Sequence, residues 1–158
     1  GIRTPLVVRW PGTVPAATVN ETTVVSAVDF FPTLCALASV SAPAGVKFDG
    51  EDLSAVFKGA KTARSKPLFW EYGRKPASDE QKAKGVHAFP YPTEPQSKSP
   101  NVAVRDGHWK LLVNADGSGA ELYDLATDRN ESKNLAMTQP DLARRLTAAA
   151  LAWRKSLP

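Results

Sequence analysis

Apolar positions change their spacing along the chain. Leu6, Val7 and Val8 form a short run fenced by Pro5 and by Pro11-Gly12, and an apolar run between breakers predicts a buried strand. Thr22 to Val28 is β-branched and reads as extended. From Asp29 the spacing becomes helical. Phe30, Phe31, Leu34, Leu37 and Ala38 share one face, with Asp29 placed as an N-cap and Pro32 in the first turn. A Pro/Gly loop over 40–50 ends in Asp49-Gly50, and a short helix is expected over Leu53 to Phe57.

Beyond Pro67 the pattern alternates. LFWEY (Leu68 to Tyr72) predicts a strand, and NVAVRDGHWKLLVN predicts two more joined at Asp106-Gly107, since Asp-Gly between alternating runs is a strong hairpin signal. ADGSGA forms another turn, and ELYDL (Glu121 to Leu125) a further strand. Residues Pro140 to Leu157 carry one apolar stripe of Leu142, Leu146, Ala149, Ala150, Trp153 and Leu157. That stripe predicts an amphipathic helix, with Pro140 in its first turn and Asp141 suited to the dipole there. Trp70, Trp109, Tyr123 and Trp153 are expected in the core between sheet and helix. Between the strands, residues 73–100 are polar and hold five prolines; a segment of that length without a period usually serves function or is disordered.

Two regions follow from this reading. Residues 1–65, with a strand, a helix and a short helix, do not make a complete domain. Residues 66–158 make a self-consistent α+β subdomain, an antiparallel sheet of three or four strands with a C-terminal helix and a long loop at 73–100. An apolar strand without neighbours implies that its partners lie elsewhere, so the chain reads as the middle and end of a longer protein.

Composition narrows the function classes. The 158 residues hold 20 Lys and Arg against 16 Asp and Glu, with 42% hydrophobic residues, which are globular proportions. The basic residues are scattered, which argues against nucleic-acid binding. No apolar run reaches the roughly 20 residues needed to cross a bilayer. Cys35 is the one cysteine, which excludes an internal disulfide framework.

The chemistry on view is sparse. Cys35 sits within an apolar helix and reads as an inert buried thiol. His108 follows a tight turn and reads as solvent-exposed; His87 lies in the long loop, the kind that borders pockets. Neither pairs with another histidine at metal-ligand spacing. Asp49, Glu51 and Asp52 read as a solvated turn, since they lack the alternating ligands of a calcium loop. Asp124 and Asp128 read as turn and cap residues. Asn20-Glu21-Thr22 and Asn130-Glu131-Ser132 match the glycosylation sequon, a pattern that chance produces freely. Arg74 and Lys75 follow a strand and read as exposed turn residues. No complete active site is present.

Several stretches in order resemble the C-terminal third of the sulfatases, within the alkaline-phosphatase-like α/β superfamily. GIRTPLVVRWPG is similar to the family's Gly-Gly-x-Arg-x-Pro turn and the strand that ends Trp-Pro-Gly. SAVDFFPTLCALA resembles its Asp-x-x-Pro-Thr helix, and FDGEDLSAVFKG its Asp-Gly-x-x-Leu turn. LFWEY, NVAVRDGHWKLL and ELYDLATDRNESKNLA complete the series across nearly the whole chain. The wording is nearest to bacterial arylsulfatases and N-acetylgalactosamine-6-sulfatase-like enzymes.

The resemblance implies sulfate-ester hydrolysis by a formylglycine made from Cys or Ser, with calcium held by Asp and Asn oxygens. It implies that both lie upstream: Cys35 is followed by ALAS rather than the Cys-x-Pro/Ala-x-Arg motif. It therefore assigns no catalytic and no metal residue to this chain. The family's active-site lysine is expected just before Gly1, which would put Gly1 to Pro5 nearest the catalytic centre. What carries over is the rim of the substrate site, with Tyr72, Arg74, His87 and Asn101 as contacts. Tyr72 stands where many relatives have His, which removes a proton-transfer role from that position. The implied partners are a sulfated carbohydrate or aryl sulfate and an N-terminal sulfatase domain, with neither nucleic acid nor membrane. A periplasmic or secreted bacterial location is a family expectation. Two other readings stand beside this one: hydrolysis of phosphate or phosphonate esters within the same superfamily, and a non-enzymatic interaction module presenting the long loop.

Overall fold

The computed structural model describes residues 4–72 and 99–157. The chain forms two compact units, Gly1–Lys66 and Pro67–Pro158.

The first unit is built on turns and short helices. A 3-10 turn at Ala27–Asp29 runs into α1 (Phe30–Leu37), and α2 follows at Ser54–Phe57. The strand expected over Leu6 to Val8 is not formed: Thr4 to Trp10 carry no sheet pairing, and the extended stretch at Thr22 to Val28 carries none either. Strand hydrogen bonds need a neighbouring chain, and within the described residues none runs beside them. Leu6, Val7 and Trp10 are exposed, as are Phe31 and Leu34 of α1.

Polar groups fix this unit's centre. The Thr33 hydroxyl, wholly buried, accepts the Leu53 N–H at 2.9 Å, and Asp52 accepts the N–H of Ser54 at the start of α2. Gly50 lies flat against the Val28–Asp29 backbone, so a Cβ there would collide with the Val28 carbonyl. Lys66 Nζ donates to the carbonyls of Phe48 and Gly50 at 3.1 and 2.9 Å. The Phe31 and Phe48 rings meet at 5.3 Å.

The second unit is an antiparallel meander of β1 (Leu68–Glu71), β2 (Val102–Asp106), β3 (Trp109–Val113) and β4 (Glu121–Asp124), paired in chain order, with α3 (Pro140–Ser156) on one face. The register sets Phe69 beside Val104, Val104 beside Leu111, and Leu111 beside Leu122. These side chains, with Val102 and Val113, meet Ala143, Leu146 and Ala150 of α3 in the core. Trp109 and Trp153 pack against it as expected. Trp70 and Tyr123 do not belong to that cluster. Trp70 alternates with Phe69 and Tyr123 with Leu122, and successive strand residues face opposite ways, so both stand on the sheet's other side.

The hairpin between β2 and β3 is shifted by one residue from expectation. Asp106 pairs with Trp109, which leaves Gly107 and His108 as the turn. Gly107 has φ +59°, the positive value that the first position of a II′ turn requires. The outer edge of β4 is covered: Leu122 donates its N–H to the Asn134 side chain and accepts from the Leu135 N–H.

Candidate functional site

Two of the four residues expected at a ligand rim, Tyr72 and Asn101, meet where β1 ends and β2 begins. Tyr72 directly follows β1, and its N–H donates to the Asn101 carbonyl at 3.1 Å. The Asn101 side-chain amide donates to the Tyr72 carbonyl at 3.5 Å. The Tyr72 hydroxyl donates to the Ser99 carbonyl at 3.1 Å and lies 2.8 Å from its Oγ. Tyr72 is 38% exposed, and its hydroxyl is held by Ser99. Arg74 and His87 lie outside the described residues.

Glu71, which the sequence reading matched to the relatives' motif without giving it a contact role, and Phe69 support this end. Glu71 Oε1 accepts from Arg154 Nε at 2.7 Å, with the Glu71 side chain only 4% exposed. Phe69, on the same face, stacks on Trp153 at 5.3 Å. A signal for Glu71 exists in the alternation: it stands at a core-face position, and a charge there needs a partner. Ser99 offers none, being one of several serines in a polar stretch.

The remaining polar residues serve architecture. Asp29 was expected as the N-cap of α1; its side chain makes no cap bond there. Its carboxylate instead accepts the N–H groups of Ser26 and Glu51 and the Arg64 guanidinium. Burial pushes its pKa up, but the hydrogen bonds from Arg64, Glu51 and Ser26 and the Arg64 charge outweigh it and hold the carboxyl below its ordinary value. His108 is about half exposed, its Nε2 3.9 Å from Asp124. Asp124 accepts the Ala126 N–H and the Thr127 hydroxyl, and Asp128 accepts the N–H groups of Ser132 and Lys133, the turn and cap roles their spacing predicts. Asn20 and Asn130 are both exposed, and Asn20 donates its amide to Thr23 and to the Ala60 carbonyl.

Within the first unit, Thr4 to Trp10 line an open groove of about 910 Å³ together with Val14, Val25, Val56 and Phe57. Among the described residues no three of His, Cys, Asp and Glu gather in a way that could hold a metal ion. These residues do not fit a calcium centre, and no catalytic step is assigned to them. A phenol, a carboxamide and a hydroxyl at the Tyr72 end make and accept neutral hydrogen bonds. They suit recognition of a polar ligand rather than bond breaking.

The profile of the family described as N-sulphoglucosamine sulphohydrolase, C-terminal, matches residues 1–88. A sulfatase of Formosa agariphila is 28% identical over 162 residues, covering 97% of this chain and 27% of that protein. Arylsulfatase G of Mus musculus is 45% identical over 69 residues, 44% of this chain and 13% of that protein. The chain thus spans about a quarter or less of the length of these relatives. A solved structure of a protein with its substrate D-glucosamine-2-N,6-O-disulfate shares the fold at TM-score 0.64 and 22% identity, covering 99% of this chain and 30% of that one.

Proposed function

This chain belongs to the sulfatases, in the family described as N-sulphoglucosamine sulphohydrolase, C-terminal, and from that premise we propose that it serves as the C-terminal region of an enzyme hydrolysing sulfate esters of sugars or aryl alcohols. Its own part is to supply the substrate rim at the β1–β2 end, with Tyr72 and Asn101 as contacts and Arg74 and His87 contributed by the segment that follows. The observation that carries this reading is the mutual hydrogen bonding of Tyr72 and Asn101, which sets an exposed tyrosine beside a carboxamide. A sulfated sugar offers matching hydroxyls and an anion for Arg74.

Nucleophile and metal belong, in this proposal, to an N-terminal sulfatase domain carrying a formylglycine and calcium. The exposed apolar side chains of Leu6, Val7 and Trp10 and the groove beside them support a seat for that domain. No helix among the described residues is long and apolar enough to cross a membrane, and we place the enzyme in the periplasm or outside the cell.

Sulfate release from an aryl sulfate and from glucosamine 6-sulfate tests the proposal, measured on the chain alone and joined to a sulfatase N-terminal domain, with and without calcium. Release is expected only from the joined protein and only with calcium. Release of phosphate from the matching phosphate esters at a higher rate would overturn it.

A further inference from the structure

We propose that the Glu71–Arg154 ion pair is a positioning device for the Tyr72 rim, coupling ligand recognition at the sheet end to the last turn of α3. This rests on the reading of Tyr72 and Asn101 as ligand contacts.

Among the described residues β1 is an edge strand of four residues, paired with β2. A short edge strand frays at its end unless something besides the ladder holds it. Here the hold comes from α3. Phe69 stacks on Trp153 and Glu71 meets Arg154, so two adjacent helix residues grip two alternate strand residues. Glu71 lies on the core face beside Val102, which is wholly buried. A charge-assisted hydrogen bond to a guanidinium fixes the direction of the contact in a way an apolar side chain would not. Arg154, in the final turn, also complements the helix dipole.

Neighbouring strand residues face opposite ways. Glu71 is held toward the helix, while the next residue, Tyr72, follows the strand with its N–H on the Asn101 carbonyl. Arg154 acts on the rim through Glu71, and in this proposal it sets the depth at which β1 ends. It is a positioning residue, not a ligand contact.

Arg145 shows the contrast. It reaches Asp106 at 3.1 Å at the hairpin end of the same face, and both side chains are well exposed. Removing that bridge should leave the rim untouched, which makes it the control.

The test is amide exchange on the full chain, read at Tyr72 against Leu111 and Leu122, for Arg154→Met, Arg154→Lys, Glu71→Gln and Arg145→Met, with a titration by glucosamine 6-sulfate. Arg154→Met and Glu71→Gln are expected to speed exchange at Tyr72 by about tenfold, with Leu111 and Leu122 changing by less than about twofold. Arg154→Lys should recover part of the protection, and Arg145→Met should change nothing at Tyr72. Affinity for the sulfated sugar should fall in step with the lost protection. Unchanged exchange at Tyr72, or an equal loss at Leu111 and Leu122, overturns the positioning role. If the unsubstituted chain leaves Tyr72 and Asn101 undisturbed on titration, the rim reading fails, and the exchange data still decide whether Arg154 positions β1.

Discussion

Asp29 and Arg64 stand 35 residues apart and meet at 2.5 Å, both side chains almost fully buried. The pair joins the 3-10 turn before α1 to the segment entering the second unit, and Glu51 closes the ring by offering its N–H to Asp29 and its carboxylate to Ser65. In a unit with no sheet of its own, this knot does the work that strand pairing does elsewhere. Breaking a buried pair leaves the other charge stranded. Arg64→Met is expected to destabilise the first unit by about 3–5 kcal/mol, read as a lowered denaturant midpoint for its transition.

The same knot sets the acid limit of the first unit. Asp29 has its folded pKa depressed, so its contribution is complete above the unfolded aspartate value and is lost as pH falls through the folded one. Fluorescence of Trp10, read in a variant retaining only that tryptophan, should report unfolding of the first unit as pH drops below about 4. Asp29→Asn should lower stability at neutral pH and flatten that dependence.

Gly50 permits the approach of the Asp49-Gly50 turn to the Val28–Asp29 backbone. Gly50→Ala is expected to cost about 3 kcal/mol, the upper end of the usual overpacking range, since the atoms it meets are backbone. Gly107→Ala at the β2–β3 turn should cost less, about 1 kcal/mol, since its strain is conformational and nothing lies within 4 Å of the added carbon. Thermal unfolding of the two variants separates the cases.

Alkaline titration reports the face of the sheet away from α3. Burial, with the Glu121 hydrogen bond and nearby carboxylates adding to it, raises the Tyr123 phenol from 10.0 to about 12. A raised folded pKa gives stability that is complete below pH 10 and lost toward pH 12, on the order of 2–3 kcal/mol in all. Ultraviolet phenolate absorbance should show a late-titrating component that is absent in Tyr123→Phe.

In the second unit Leu146 is fully enclosed between α3 and the sheet. Leu146→Ala is expected to cost about 3 kcal/mol through lost burial and the cavity left behind. Circular dichroism should show the loss of α3 together with the sheet, in one step.

How much of this could be read from sequence depended on whether the deciding interaction was local. β2, β3, β4 and α3 follow from the spacing of their own residues, and that spacing survives in the structure. Leu6 to Val8 has an equally clear pattern, but a strand is a relation between two chains, and its apolar run could not supply the second. Tyr123 and Trp70 were apolar enough for the core; the pairing register, not their chemistry, turned them to the other face. Asp29 looked like a helix cap because its best partners, Arg64 and Glu51, arrive from distant turns. At the rim, Tyr72 and Asn101 came to notice through family resemblance, and their contact crosses 29 positions that no local rule spans.

The meander also says something about how such a protein can change. β1 and β2 keep their register through their own ladder and through α3, so the segment joining them need not specify either strand. Closing a loop costs only about 0.6 kcal/mol more for each doubling of its length. A change in the length of the connection from Tyr72 to Ser99 is therefore a small cost beside the ladder that sets the β1–β2 register. A lineage can try new loops beside Tyr72 without refolding the sheet, which makes this junction the place where descendants of one scaffold would diverge in what they accept.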